Sequence, residues 1–248
     1  MNNLQLITKN YPDQTFEKYY IDDNCKKQGL FQYIENDKLM LECHYKDNIM
    51  DGQQIIYHND GSISQISHYK NDKKHGFYIS YYENGNKEDE CEYIDGQIHG
   101  IYKSYHMNYK DKIDMICEYD NGIQHGYCYS YDHNDILVID SHYNNGKLNG
   151  YYKRIYYDKT TTECNYDNGK LNGLYTEYNK NNIKIREIQY VNGKKNGYDK
   201  KWNSDGTKFH ELNYINGKRD GNCIYYKSNN IVKSHVKCKN GKVIEEIF

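Results

Sequence analysis

Residues 69–100 read YKNDKKHGFYISYYENGNKEDECEYIDGQIHG, and how this stretch is divided decides the fold. FYISYY (77–82) is an aromatic and β-branched run of the kind that favours a strand. ENG (83–85) is a turn signal, because Asn84-Gly85 supplies positive φ angles. NKEDECEY returns as a second strand ending on Tyr93, and IDGQIHG (94–100) reads as the link to the next hairpin.

The frame Y-x-x-G-x-x-x-G recurs outward from this stretch in both directions. Tyr69-Asp72-Gly76 is followed by Tyr93-Gly96-Gly100, Tyr119-Gly122-Gly126 and Tyr143-Gly146-Gly150. Tyr166-Gly169-Gly173, Tyr190-Gly193-Gly197 and Tyr214-Gly217-Gly221 continue it, with a weaker copy at Tyr45-Asn48-Gly52 and a truncated one at Cys238-Gly241. The anchors lie 24, 24, 26, 24, 23, 24, 24 and 24 residues apart. A fixed short period signifies stacked repeats, and such architectures serve binding through extended surfaces. The expected fold is therefore all-β: a single-layer, elongated antiparallel sheet of stacked β-hairpin repeats, about 17 strands in all. Residues 1–44 read as an N-terminal cap with a degenerate first repeat, 45–241 as the repeats and 242–248 as a C-terminal capping strand.

Within each repeat the anchors Tyr69, Tyr93, Tyr119, Tyr143, Tyr166, Tyr190 and Tyr214 are assigned to a structural aromatic ladder. A second column lies five residues after the second glycine: Tyr57, Tyr81, Tyr105, Tyr131, Ile155, Tyr178, Trp202 and Tyr226. Cross-strand aromatic pairs contribute roughly 0.2–1 kcal/mol each. The second glycines, Gly76, Gly100, Gly126, Gly150, Gly173, Gly197 and Gly221, are assigned to turns, where a Cβ would obstruct the chain. The residue before each is Asp, His or Asn (Asp51, His75, His99, His125, Asn149, Asn172, Asn196, Asp220), types that tolerate left-handed conformations. The three histidines of that slot read as turn residues, and no metal site is expected.

Composition supports a thin structure. Tyr accounts for 31 of the 248 residues and the hydrophobic share is 37%, too little for a large aliphatic core. Tyr suits half-exposed positions, where its ring is covered and its hydroxyl stays wet. The eight cysteines form no C-x-x-C pair. Cys43, Cys91, Cys117 and Cys164 share a small packing slot two residues before an anchor, and only Cys117 and Cys128 could face each other across a turn. No secretory leader or membrane-length apolar run is visible, so reduced cysteines and a cytoplasmic location are expected.

YNNGKLNGYYKRIYY (143–157) and YDNGKLNGLYTEY (166–178) resemble the MORN repeat family, in its variant form. The resemblance spans about residues 45–241. It implies a sheet of stacked hairpins used as a scaffold, a dimerisation surface or a membrane-associated adaptor. Bacterial variants are described as antitoxin-like, and the family's enzymatic members carry their catalysis in a separate domain. No GxSxG, P-loop or HExxH motif is present. The chain is accordingly read as non-enzymatic, with no catalytic residues, cofactor or metal.

Charge is unevenly distributed. Residues 1–146 carry 13 Lys+Arg against 24 Asp+Glu, net −11; residues 147–248 carry 20 against 11, net +9. The links account for much of the contrast, and Lys147, Lys170, Lys194, Lys195, Lys218, Arg219 and Lys242 should form a basic row along one edge. Such a row is read as solvated surface, as a site for acidic membrane lipid at about 1 kcal/mol per residue, or as one side of a head-to-tail self-association. Nucleic acid is a weaker fourth reading, since the chain as a whole is not basic. The preferred function is a scaffold or adaptor for an unknown protein partner. The alternative is a peripheral membrane adaptor that uses the basic C-terminal half.

Overall fold

The computed structural model describes residues 4–248, and it divides into two compact units. The first comprises residues up to Ile123 together with His133–Asp135; the second comprises Gln124–Asp132 and Ile136–Phe248. The chain is all-β. Its 21 strands are joined by tight turns, with one 3-10 turn at Ser228–Asn230 and no α-helix among the described residues.

The first unit is an antiparallel meander of ten strands, from β1 (Gln5–Asn10) to β10 (Ile113–Asp120), each paired with its neighbour in sequence. The second continues the pattern from β11 (Ile123–Tyr131) to β21 (Lys242–Glu246). The strand count exceeds the expected 17 partly because residues 5–46 already form four paired strands. There Gly29 stands directly opposite Tyr45, the pairing that recurs in each later repeat but the last.

That pairing defines the repeat. Gly52 faces Tyr69, Gly76 faces Tyr93 and Gly100 faces Tyr119 in the first unit. Gly126 faces Tyr143, Gly150 Tyr166, Gly173 Tyr190 and Gly197 Tyr214 in the second, and Gly221 meets Cys238. These glycines are not turn residues, as the sequence suggested. Gly76 lies inside β7 (Lys73–Tyr81), where His75, Gly76 and Phe77 stand against the single residue His68 of β6 (Ile63–Lys70). The extra residues make a β-bulge, and the glycine takes φ +98 to accommodate it.

Because Gly76 has no side chain, the rings of Tyr78 and Tyr93 meet over it, edge to face at 5.7 Å. The same contact occurs at Tyr102–Tyr119 (6.0 Å), Tyr152–Tyr166 (5.7 Å) and Tyr175–Tyr190 (6.1 Å). An aromatic ring lying over a cross-strand glycine restores the packing that the glycine gives up.

The hairpin turn sits four residues before the bulge glycine, at the first glycine of the frame. Asp95-Gly96 has φ of +49 and +87, the signature of a two-residue type I′ turn, which matches the strand twist. Asn121-Gly122, Asn145-Gly146, Asn168-Gly169, Asn192-Gly193, Asn216-Gly217 and Asn240-Gly241 repeat it. Consecutive turns are tied together. Gly169 N–H donates to the Leu148 carbonyl at 2.8 Å, Gly193 to Leu171 at 2.7 Å and Gly217 to Lys195 at 2.8 Å.

This stacking also explains the slot before the second glycine. Its occupants are absent from the left-handed region, so tolerance of positive φ is not what selects them. Instead Asn149, Asn172, Asn196 and Asp220 accept a hydrogen bond from the backbone N–H of Asn168, Asn192, Asn216 and Asn240, at 3.1–3.3 Å. His75 receives the corresponding bond from Asp95 at 3.5 Å.

Candidate binding surfaces

Side chains alternate along a strand, so each unit presents two unlike faces and a turn edge. The anchor tyrosines share one face with the slot two residues before them. In the first unit that slot holds Cys43, Ser67, Cys91 and Cys117; in the second it holds Ser141, Cys164, Ile188 and Leu212, all at 6% exposure or less. Most occupants are small, which leaves room for the tyrosine rings; the two larger ones, Ile188 and Leu212, flank Asp199, which carries no ring. Burial pushes the thiols of Cys43, Cys91 and Cys164 up to about 11, which keeps them protonated packing groups. Six cysteines, Cys25, Cys43, Cys91, Cys164, Cys223 and Cys238, are free. Cys117 and Cys128 are disulfide-bonded, so the expectation of a wholly reduced set does not hold.

In the second unit one residue breaks the pattern of this face. Asp199 occupies the place held by Tyr152 and Tyr175 in earlier repeats, is only 1% exposed, and stands between Ile188 and Leu212 in the ladder. Arg186 approaches it at 3.3 and 3.4 Å, His210 at 3.4 Å, and Lys195 completes the cluster. Burial works against the charge, but hydrogen bonds from His210, Arg186 and Lys195 outweigh it and hold the carboxyl well below the usual range.

The opposite face carries the second aromatic column and a glutamate column that the sequence reading missed. Tyr57 donates to Glu42 at 2.9 Å and Tyr226 to Glu211 at 2.7 Å. Glu90 lies between Lys87 at 2.9 Å and Lys103 at 2.8 Å. The signal was available: Glu42, Glu90, Glu163, Glu187 and Glu211 each precede an anchor tyrosine by three residues. Burial alone would raise the Glu90 carboxyl. Hydrogen bonds from Lys103, Lys87 and Tyr105 overcome this and hold it down at about 2, against an ordinary 4.5. A carboxylate lowered by folding stabilises the native state above its unfolded value, and the contribution fades as pH falls toward the folded value. Glu90→Gln should therefore cost about 1 kcal/mol near neutral pH, with the difference from wild type shrinking between about pH 4.5 and 2. Urea midpoints measured across that range test it.

On the first unit this face is also apolar and open. Phe77 is 66% and Ile101 56% exposed. With Tyr78, Ile79, Glu90, Cys91, Glu92 and Lys103 they line an open cleft of about 540 Å³. Ile55 pairs with Ile66, and Ile66 with Ile79, extending the apolar surface across three strands.

The turn edge holds the predicted basic row, in part. Lys147, Lys170, Lys194, Lys218 and Lys242 each follow an Asn-Gly turn directly, and all five are exposed. Where Gly169, Gly193 and Gly217 would carry a Cβ, it would lie 3.7–3.9 Å from the Cβ atoms of Lys147, Lys170 and Lys194, so the lysine stems run along the stacked turns. Repeats are two strands apart, which sets the charges about 10 Å from one another. Lys195 and Arg219 leave this row. They pair with Tyr190 and Tyr214 and belong to the tyrosine face, where Lys195 binds Asp199 and lies 5.0 Å from the Tyr214 ring. The flanking cations are engaged as well: Lys153 pairs with Glu163 at 3.1 Å and Arg154 stacks on Tyr156. Among the described residues no group of His, Cys, Asp or Glu has the makings of a metal site. No helix there is long and apolar enough to cross a membrane.

Hairpins locked by a glycine–tyrosine register, with stacked type I′ turns, define a β-hairpin repeat protein. Residues 50–71 and 74–95, which span most of β5 (Ile49–Tyr57) through β8 (Lys87–Ile94), match the MORN repeat variant family. A search of curated proteins gives no significant match. Repeats of this family are protein- and membrane-binding motifs and are typically non-catalytic.

Proposed function

We propose that the protein is a non-enzymatic scaffold that engages a protein partner through the face of its first unit opposite the anchor tyrosines. One observation carries this reading. The tyrosine face fills itself with its own rings, whereas Phe77 and Ile101 stand out into solvent beside an open cleft. Contiguous exposed apolar surface of that kind marks a contact site more often than a neutral one. Capture of partners from cell extract by the wild type and by a Phe77→Ser, Ile101→Ser variant tests it. The specific partner should be lost from the variant, and retention of every captured protein would refute the reading.

The exposed lysine ladder favours a second reading, peripheral attachment to acidic membranes. Five cations at one edge are enough to matter, at about 1 kcal/mol each near an anionic surface. Flotation with acidic and neutral vesicles, alongside a variant with Lys170, Lys194 and Lys218 changed to Glu, tests it. Attachment that requires acidic lipid and disappears in the variant or at high salt supports this reading, and equal flotation with neutral vesicles contradicts it.

A further inference from the structure

We propose that an open cleft beside the outer turn 156–160 of the second unit binds a neutral carbohydrate, with a pyranose ring stacked on Tyr157 and its hydroxyls bonded to Glu177 and Asp158. The site is separate from the partner face of the first unit and does not depend on it.

Tyr157 is entirely exposed, and among the described residues it makes no stacking, cation or hydrogen-bond contact. Its turn is nonetheless well fixed. The Tyr156 N–H donates to the Thr160 carbonyl and the Lys159 N–H to the Tyr156 carbonyl, both at 2.9 Å. Asp158 Oδ1 accepts from the Thr160 N–H at 3.0 Å and from its hydroxyl at 2.6 Å. The ring is therefore bare but mounted on an ordered backbone, which lowers the entropy lost when a ligand covers it.

Beside it lies a cleft of about 530 Å³, the size of a small-molecule site. Tyr156, Tyr175 and Tyr178 supply its other rings, and Asp158 and Glu177 its charged groups. Thr162 of β14 (Thr161–Asp167) stands directly opposite Glu177 of β15 (Lys170–Tyr178), two residues beyond the Cys164–Tyr175 pair. Glu177 is thus on the tyrosine face, at its outer-turn end. The Tyr175 hydroxyl donates to Oε1 of Glu177 at 2.7 Å. The second oxygen of Glu177, like that of Asp158, takes no donor among the described residues and is left for a ligand.

This combination belongs to one repeat. Counted from the second glycine, no other repeat has two tyrosines at the places of Tyr156 and Tyr157. Tyr82-Glu83 comes nearest, and there the Tyr82 hydroxyl donates to the Tyr105 carbonyl at 3.0 Å. Glu177 is the one carboxylate at its repeat position, where the other repeats hold Tyr, Ile, Ser, Arg or Lys.

The neighbours decide the charge of the ligand. An anion, nucleic acid included, would meet Asp158 and Glu177, and no Lys or Arg among the described residues lines the cleft. A cation would find its attractors already engaged: Arg154 lies 4.9 Å from the Tyr156 ring, and Arg186 stands directly opposite Glu177. A purely apolar ligand would leave the carboxylates desolvated and unpaired. A pyranose meets both demands, because its C–H face covers a tyrosine ring while its hydroxyls donate to the free carboxylate oxygens.

Binding of the labelled full-length chain to an array of neutral, acidic and sulphated glycans, with trimethyl-lysine peptides as a further set, tests the proposal. Neutral glycans should bind, and the strongest is then titrated in solution by calorimetry. Tyr157→Ala and Glu177→Gln should each weaken it on the order of tenfold, through a lost ring contact and a poorer hydroxyl acceptor. Tyr151→Ala, exposed on the opposite face of β13 (Lys147–Ile155), should leave it unchanged. Because Tyr157 touches nothing, its variant should fold, and circular dichroism verifies it. No neutral glycan bound, or full affinity in Tyr157→Ala, would overturn the proposal. Binding confined to acidic or sulphated glycans, or to trimethyl-lysine, would overturn the neutral chemistry assigned to the ligand.

Discussion

Asp199→Ala should lower the stability of the second unit by about 3–5 kcal/mol, the usual cost of removing one member of a buried ion cluster. The carboxylate is 1% exposed, and it is the common partner of Arg186, Lys195 and His210. Without it, two permanent cations remain beside one another in a row built from Ile188 and Leu212. Arg186 and Lys195 keep partial access to water, at 30% and 25% exposure, so the loss should fall toward the lower end of that range. The measurement is urea unfolding followed by the fluorescence of Trp202, the one tryptophan in the chain, three residues from the site. A midpoint unchanged from wild type would show that the cluster contributes nothing. The repeat also supplies a repair. In the preceding repeat the equivalent positions are Tyr175 and Leu171, with Tyr175 packed against Tyr190 at 6.1 Å. Asp199→Tyr combined with Lys195→Leu should recover most of the loss, because a well-packed apolar set often equals or exceeds a buried ion cluster.

Gly197→Ala should cost about 1–3 kcal/mol from backbone strain alone. Gly197 has φ of +112, and an added Cβ would lie 3.0 Å from the Cβ of Gln189 and nearer still to its carboxamide. The carboxamide end swings away at little cost, but the Gln189 Cβ moves only with its strand. The same substitution at Gly85, an outer-turn glycine with nothing near its missing Cβ, adds no steric clash, although φ of +80 still strains it. Gly197 should therefore be the more damaging site. Equal midpoint shifts for the two variants would mean that the bulge contact with Gln189 carries no energy.

The repeat, the strands and the all-β class were legible because anchor tyrosines recur about every 24 residues and Asn-Gly is a strong hairpin signal. The role of the second glycine was not legible. A type I′ turn and a β-bulge both select glycine for positive φ, and only the pairing of Gly76 with Tyr93 distinguishes them. The same ambiguity hid the role of Asn149 and His75, which bridge turns rather than adopt unusual backbone angles. Alternation explains why the basic row split. Lys194 and Lys195 are adjacent in sequence and so point to opposite faces, a consequence of strand geometry that a list of charges does not show. The exposed cleft at Phe77 and Ile101 was missed because in sequence these residues look like ordinary strand formers. Their exposure depends on which face the register assigns to them.

The most direct test of the binding-scaffold account is a photo-crosslinking scan with a benzophenone amino acid placed singly at Phe77, Ile101, Leu174 and Tyr166. The account predicts a discrete higher-mass adduct in cell extract from positions 77 and 101. It predicts none from Tyr166 on the self-filled tyrosine face. Adducts from Tyr166 or Leu174 with none from 77 and 101 would contradict it.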